Sequence, residues 1–103
     1  MALNYQIISH PSPGVIEFVR QRLGGAGKRI FAEPVVPFTA VGLVQGRLID
    51  MIAAVDVAEK AADVQVFDLK GHCPQHITMI GILGDIEAVK ASVQAIMEAE
   101  HLR

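Results

Sequence analysis

The chain has one cysteine, Cys73, in the run Lys70-Gly71-His72-Cys73-Pro74-Gln75-His76, with a histidine on either side and a proline directly after it. A thiol among imidazoles can serve as a nucleophile activated by a base. It can also serve as a metal ligand. Residues adjacent in sequence seldom aim at one another productively, and no orienting Asn or Asp stands nearby, so a Cys–His catalytic pair is disfavoured. Metal binding meets a problem of number. An iron–sulfur cluster takes about four thiolates, and a tetrahedral zinc site built on His72 or His76 would still need ligands from elsewhere. One thiol is enough only where the segment lies at a rotation axis and each subunit contributes its own copy. Cys-Pro recurs in iron–sulfur ligand runs, where proline removes an N–H and stiffens the loop. The plain alternative is a turn fixed by Pro74.

The other candidates are weaker. The run "GGAGKR" looks like a phosphate loop, but Arg22 stands where the first glycine of that motif belongs and Arg29 where its Ser or Thr belongs. A connecting segment is the better reading. The acidic residues Asp50, Asp56, Glu59, Asp63, Asp85, Glu87, Glu98 and Glu100 fall on helix faces or ends, with no spacing that implies paired acid–base work.

Composition narrows the function classes. A chain of 103 residues, 51% hydrophobic and 19% charged, is one domain (1–103) with ample material for a core and few charges. That balance favours association with other copies. A net charge of −2, few aromatics and no Trp argue against a nucleic-acid partner. No run reaches the length of a membrane span, the start "MALNYQII" is not a signal peptide, and a lone cysteine fits a reducing compartment.

The elements that must position Cys73 follow from periodicity and punctuation. Asn4–Ser9 reads as a strand, then Ser12 and Pro13 open a helix over Pro13–Leu23 with Val15, Ile16, Val19 and Leu23 on one side. Residues 24–38, rich in glycine and then in proline, read as a connector. Thr39–Val44 is a strand leading into a helix over 48–62, with an inward stripe of Leu48, Met51, Ile52, Val55, Ala58 and Ala62. That helix is apolar over most of its circumference, so a second face is available to a neighbouring subunit. Val64–Leu69 and Ile77–Leu83 form a hairpin-like pair joined by the Cys73 segment. Asp85 caps a last helix over 86–100, with Ile86, Val89, Val93, Ile96 and Met97 facing the core. The order β-α, connector, β-α-β-β-α becomes a ferredoxin-like split β-α-β sandwich once the first β-α pair is moved to the end. The expectation is an α+β fold in circularly permuted order.

The stretch from "AVGLVQGRLIDMIAAVDVAEKAADVQVFDLKG" through "ITMIGILGDIEAVKASVQAI" resembles the bacterial microcompartment shell domain, the BMC domain. The features that carry this are Lys60-Ala61-Ala62, Gly71, Gly84-Asp85 and Glu87-Ala88-Val89. The strand and helix that normally close the domain come first here, as "YQIISHPSPGVIEFVRQRL", which is similar to the circularly permuted branch. Within it, Gly71, Cys73, Pro74 and Gln75 match the Gly-x-Cys-Pro-Gln motif of shell proteins from glycyl-radical-type microcompartments. Only Met1–Leu3 precede the first strand, so the small β-barrel that caps the pore in other permuted members is not expected.

The resemblance implies a structural protein rather than an enzyme, located in a microcompartment shell in the cytoplasm. It implies a four-stranded antiparallel sheet with helices, and homo-hexamers that tile with neighbouring shell proteins around encapsulated enzymes or redox partners. The loop holding Gly71, His72, Cys73, Pro74 and Gln75 would line the central pore. Cys73 thiolates from several subunits would hold an iron–sulfur cluster there, of the 4Fe–4S type, for electron transfer across the shell or cluster delivery. Lys60 would make the shell-edge contact, against the plainer role of a charge completing its helix end. Two other readings stand beside this one. The first is a metal-free pore for small polar metabolites, tuned by His72 and His76. The second is a ferredoxin-like regulatory enzyme or sensor with a reactive thiol.

Overall fold

The computed structural model describes residues 3–33, 38–70 and 77–101. Four strands, β1 (Asn4–Ser9), β2 (Ala40–Arg47), β3 (Gln65–Leu69) and β4 (Ile77–Gly84), form one antiparallel sheet in the order β1-β2-β4-β3. The expected α+β class and four-stranded antiparallel sheet are both present. Four helices cover it: α1 (Pro13–Arg20), α2 (Gly25–Ala32), α3 (Leu48–Ala61) and α4 (Ile86–His101).

β2 and β4 are central, and their residues point alternately into two cores. On one face α3 and α4 pack over Ala40, Val44, Ile80 and Ile82, with Met51, Ala58, Val89 and Ile96 as the helical contribution. On the other, Val41, Phe67, Leu69 and Leu83 meet Val19 and Leu23 together with Ile30 and Phe31. A strand buried on both sides reads as a near-continuous apolar run, as "ITMIGIL" does.

Helix starts follow local chemistry. The Ser12 Oγ accepts from the Val15 N–H at 3.3 Å, with Pro13 in the first turn of α1. The Asp85 Oδ1 accepts from the Ala88 N–H at 2.8 Å at the head of α4.

Two expectations need correction. Residues 24–38 are not simply a connector, because α2 occupies Gly25–Ala32. Its glycines lower helix propensity, which hid it, but they also let it approach β3. A Cβ on Gly27 would lie 2.7 Å from Leu23 Cδ2 and 3.4 Å from Phe67 Cδ2 of β3, and the Phe31 ring stands edge-on to Phe67 at 5.4 Å and 87°. Packing therefore overrides propensity here. The second correction concerns α3. Its buried residues are Met51, Ala54 and Ala58, whereas Leu48 and Ile52, expected to face inward, are 51% and 64% exposed. A helix apolar all round gives no period to read.

Candidate functional site

The predicted site residues Gly71, His72, Cys73, Pro74 and Gln75 lie outside the described residues. The frame that carries them is described. β3 ends at Leu69 and β4 begins at Ile77, with Leu69 and Met79 paired across the ladder. The outer edge of β3 is fastened too: Leu23 bridges to Leu69, and the Lys70 N–H donates to the Arg22 carbonyl at 2.7 Å. The root of the segment is thus held by β4 on one side and by the exit of α1 on the other.

Arg22 is itself fixed. Its Nη1 donates to the Phe18 carbonyl at 3.0 Å, and its guanidinium carbon sits 3.9 Å above the Phe18 ring.

The donor set decides what a metal would require. Among the described residues no group of three or more His, Cys, Asp or Glu converges on a point that could hold an ion. The chain has a single thiol. Thiolate ligation of an iron–sulfur cluster therefore fits this chain only when Cys73 is supplied by several copies.

Lys60 lies in the last turn of α3, just before β3 and so at the opposite end of the sheet from the loop root. Its Nζ is 2.9 Å from Asp56 Oδ2, and both side chains are mostly exposed. The "GGAGKR" run is no phosphate cradle. Gly24 is the N-cap of α2, and a Cβ there would meet the Asp68 carboxylate at 2.7 and 2.8 Å, so a negative group already stands beside it.

Sequence reasoning anticipated a second apolar face on α3 but assigned Leu48 and Ile52 to the inward one. Leu48, Ile49 and Ile52 form an apolar patch, 51%, 74% and 64% exposed. A shallow apolar hollow lined by Ala53, Val57, Ile96 and Ala99 lies between the same helix and α4. The signal in the sequence was the lack of a polar face on α3.

Residues 40–102 match the BMC domain model. The chain is similar to the ligand-free structure of the GrpU microcompartment shell protein from Clostridiales bacterium 1_7_47FAA: 32% identity, TM-score 0.69, covering 95% of this chain and 92% of that one. It is also similar to the GrpU shell protein from Pectobacterium wasabiae, at 25% identity, TM-score 0.69, covering 90% of this chain and 98% of the other. The fused permuted hexameric shell protein MSM0275 from the RMM microcompartment shares the fold at 19% identity and a TM-score of 0.70, covering 98% of this chain and 46% of that one. No curated protein sequence matches. The family model spans β2 to the end of α4, and full-length likeness to a shell protein extends through β1 and α1 as well. The chain belongs to the BMC domain family, as a structural subunit of a bacterial microcompartment shell.

Proposed function

We propose that six copies of this chain close around an axis, with the segment between β3 and β4 at the central opening, and that Cys73 thiolates from several copies hold an iron–sulfur cluster of the 4Fe–4S type. The observation that carries this reading is the pairing of a single thiol per chain with a doubly fastened loop root. A lone thiol is useful to a cluster only when symmetry multiplies it, and a fixed root bounds how far each symmetry-related thiol can lie from its own sheet. The exposed apolar face of α3 supports self-association. The Gly71, Cys73, Pro74 and Gln75 motif supports the glycyl-radical-type assignment. The permuted order is supported by β1 and α1 lying ahead of the matched residues 40–102, with β1 at the sheet edge beside β2.

When bound, such a cluster supplies one-electron chemistry, which suits electron transfer across the shell or cluster delivery to the interior. The chain's own part is to present the thiol, to fix the loop root through Leu69, Lys70 and Ile77, and to assemble. A cluster held by Cys73 at the opening would obstruct it, so a metabolite pore and a loaded cluster would exclude one another at that point.

The test is anaerobic purification followed by measurement of oligomeric state and of iron and sulfide per chain. The expected result is a hexamer with fewer than one cluster per chain and absorption at about 400 nm, as thiolate-ligated iron gives. Loss of iron in Cys73→Ser with the hexamer retained completes it. A hexamer free of iron would favour the metal-free pore instead, and a monomer or dimer would favour the thiol sensor.

A further inference from the structure

On one face of the sheet α1 and α2 pack over Phe67, Leu69, Val41 and Leu83. Among the described residues, the end of that face near the loop root is less covered. Two hollows occupy that end. One, of about 100 Å³, is bounded by Arg22, Lys70, Gln45, Thr78, Leu69 and Met79, with Ile77 beside them. The other, of about 330 Å³, is bounded by Asn4, Gln6, Leu43, Gln45 and Met79, with Tyr5 at its rim. Gln45 and Met79 belong to both, so the two are halves of one groove.

The groove is polarised. Its smaller half has two cations, and no carboxylate is among the described lining residues of either half. A third cation stands at the same sheet end: Arg47 is the register partner of Ile77 and alternates with Gln45 onto this face. Arg22 is held in place by a carbonyl and a ring face, neither of which neutralises it. A guanidinium has five N–H donors, and the bond to Phe18 uses one. Lys70 is fixed at its backbone to the same Arg22. The floor running away from these charges is apolar, through Leu69, Met79 and Leu43, and is bordered by the amides of Gln45, Gln6 and Asn4.

We infer that this groove binds a short-chain organic oxyanion, its carboxylate or phosphate head between Arg22 and Lys70 and its apolar tail along Met79 and Leu43. The cations favour an anionic head, and the planar fork of Arg22 suits paired oxygens. The apolar floor favours a few carbons behind that head. The inference concerns described side chains alone and stands whether or not Cys73 holds a cluster.

The test uses the intact protein with methyl-¹³C methionine, Met79 being assigned through Met79→Leu. Butyrate and monobutyl phosphate are titrated separately, with acetate, inorganic phosphate and butylamine as comparisons. The expected result is a saturable shift of the Met79 methyl with one or both four-carbon anions, tighter than with acetate or inorganic phosphate. The arm that saturates identifies the head group. Arg22→Gln and Lys70→Gln should each weaken binding about tenfold, as loss of a charge-assisted hydrogen bond does, and Lys70→Arg should restore it. Retained thermal unfolding temperatures show that these surface variants fold. Equal affinity for inorganic phosphate and monobutyl phosphate would mean an adventitious ion only and overturn the inference. So would an equal shift with butylamine, unchanged affinity in both Gln variants, or no saturable shift with any anion.

Discussion

Phe67 and Gly81 are register partners on β3 and β4, and the Phe67 ring fills the space a side chain at position 81 would occupy. An added Cβ would overlap Phe67 Cζ, and the ring cannot swing away because Phe31 stands edge-on to it. Gly81→Ala should therefore cost about 1–3 kcal/mol, the usual range for overpacking. Trimming the ring in Phe67→Leu should return part of that loss, so the double variant should be more stable than the two single losses predict. Urea unfolding of the four proteins measures the coupling; simple additivity would mean that the ring is not what excludes a side chain at Gly81.

Ser92 is fully buried on α4, and its Oγ donates to the Ala58 carbonyl of α3 at 3.4 Å. This contact lets two helices meet closely over the sheet. Ser92→Ala should cost about 1 kcal/mol, the net worth of such a bond. Ser92→Leu should cost more, because the added volume must part the helices. Thermal unfolding ranks the two variants, and the reverse order would show that there is room at the α3–α4 contact.

The exposed patch of α3 makes a separable claim about assembly. Ile49→Asp combined with Ile52→Asp should abolish the proposed hexamer while leaving the helical circular dichroism of the chain intact, since neither residue is in the core. Sedimentation of the variant reads this directly. A variant that remains hexameric would remove α3 from the subunit contact.

Lys60 and Asp56 form an exposed pair one helical turn apart, and such pairs contribute little. Lys60→Ala should change stability by no more than about 0.5 kcal/mol. If Lys60 joins hexamers edge to edge, the same variant should lose extended sheets by electron microscopy. Unaltered sheets would reduce Lys60 to a charge at a helix end.

The sequence exposed strands and caps more readily than faces. β1 is bounded as its β-formers Tyr5, Ile7 and Ile8 and the following His-Pro suggest, and Asp85 caps α4 as its place before an apolar run implies. The core face of α4 was legible because Val89, Val93 and Ile96 recur among polar neighbours. α3 had no polar neighbours to supply contrast, so Ala54 and Ile52 exchanged their inward and outward roles. α2 was hidden because its stability lies in Phe31 against Phe67, a contact between residues far apart in sequence. The groove was invisible for the same reason: Arg22 and Lys70 are brought together by a backbone bond across the edge of β3. The iron–sulfur role expected of Cys73 came from the resemblance of Gly71, Cys73, Pro74 and Gln75 to a family motif, because residue types and the count of thiols left a plain turn equally open.

The pairing of Leu69 and Ile77 into the sheet sets a tether length. Cys73 lies four residues beyond Leu69 and four before Ile77, both fixed in the sheet. A chain covers at most about 3.6 Å per residue, so the thiol-bearing residue can stand no more than roughly 14 Å from either anchor. Any cluster shared between copies must then draw the sheet ends of its ligating subunits to within about twice that distance of one another, plus the width of the cluster and its bonds. Lengthening the tether by inserted residues would leave each subunit's scaffold untouched while relaxing that upper limit on ring diameter.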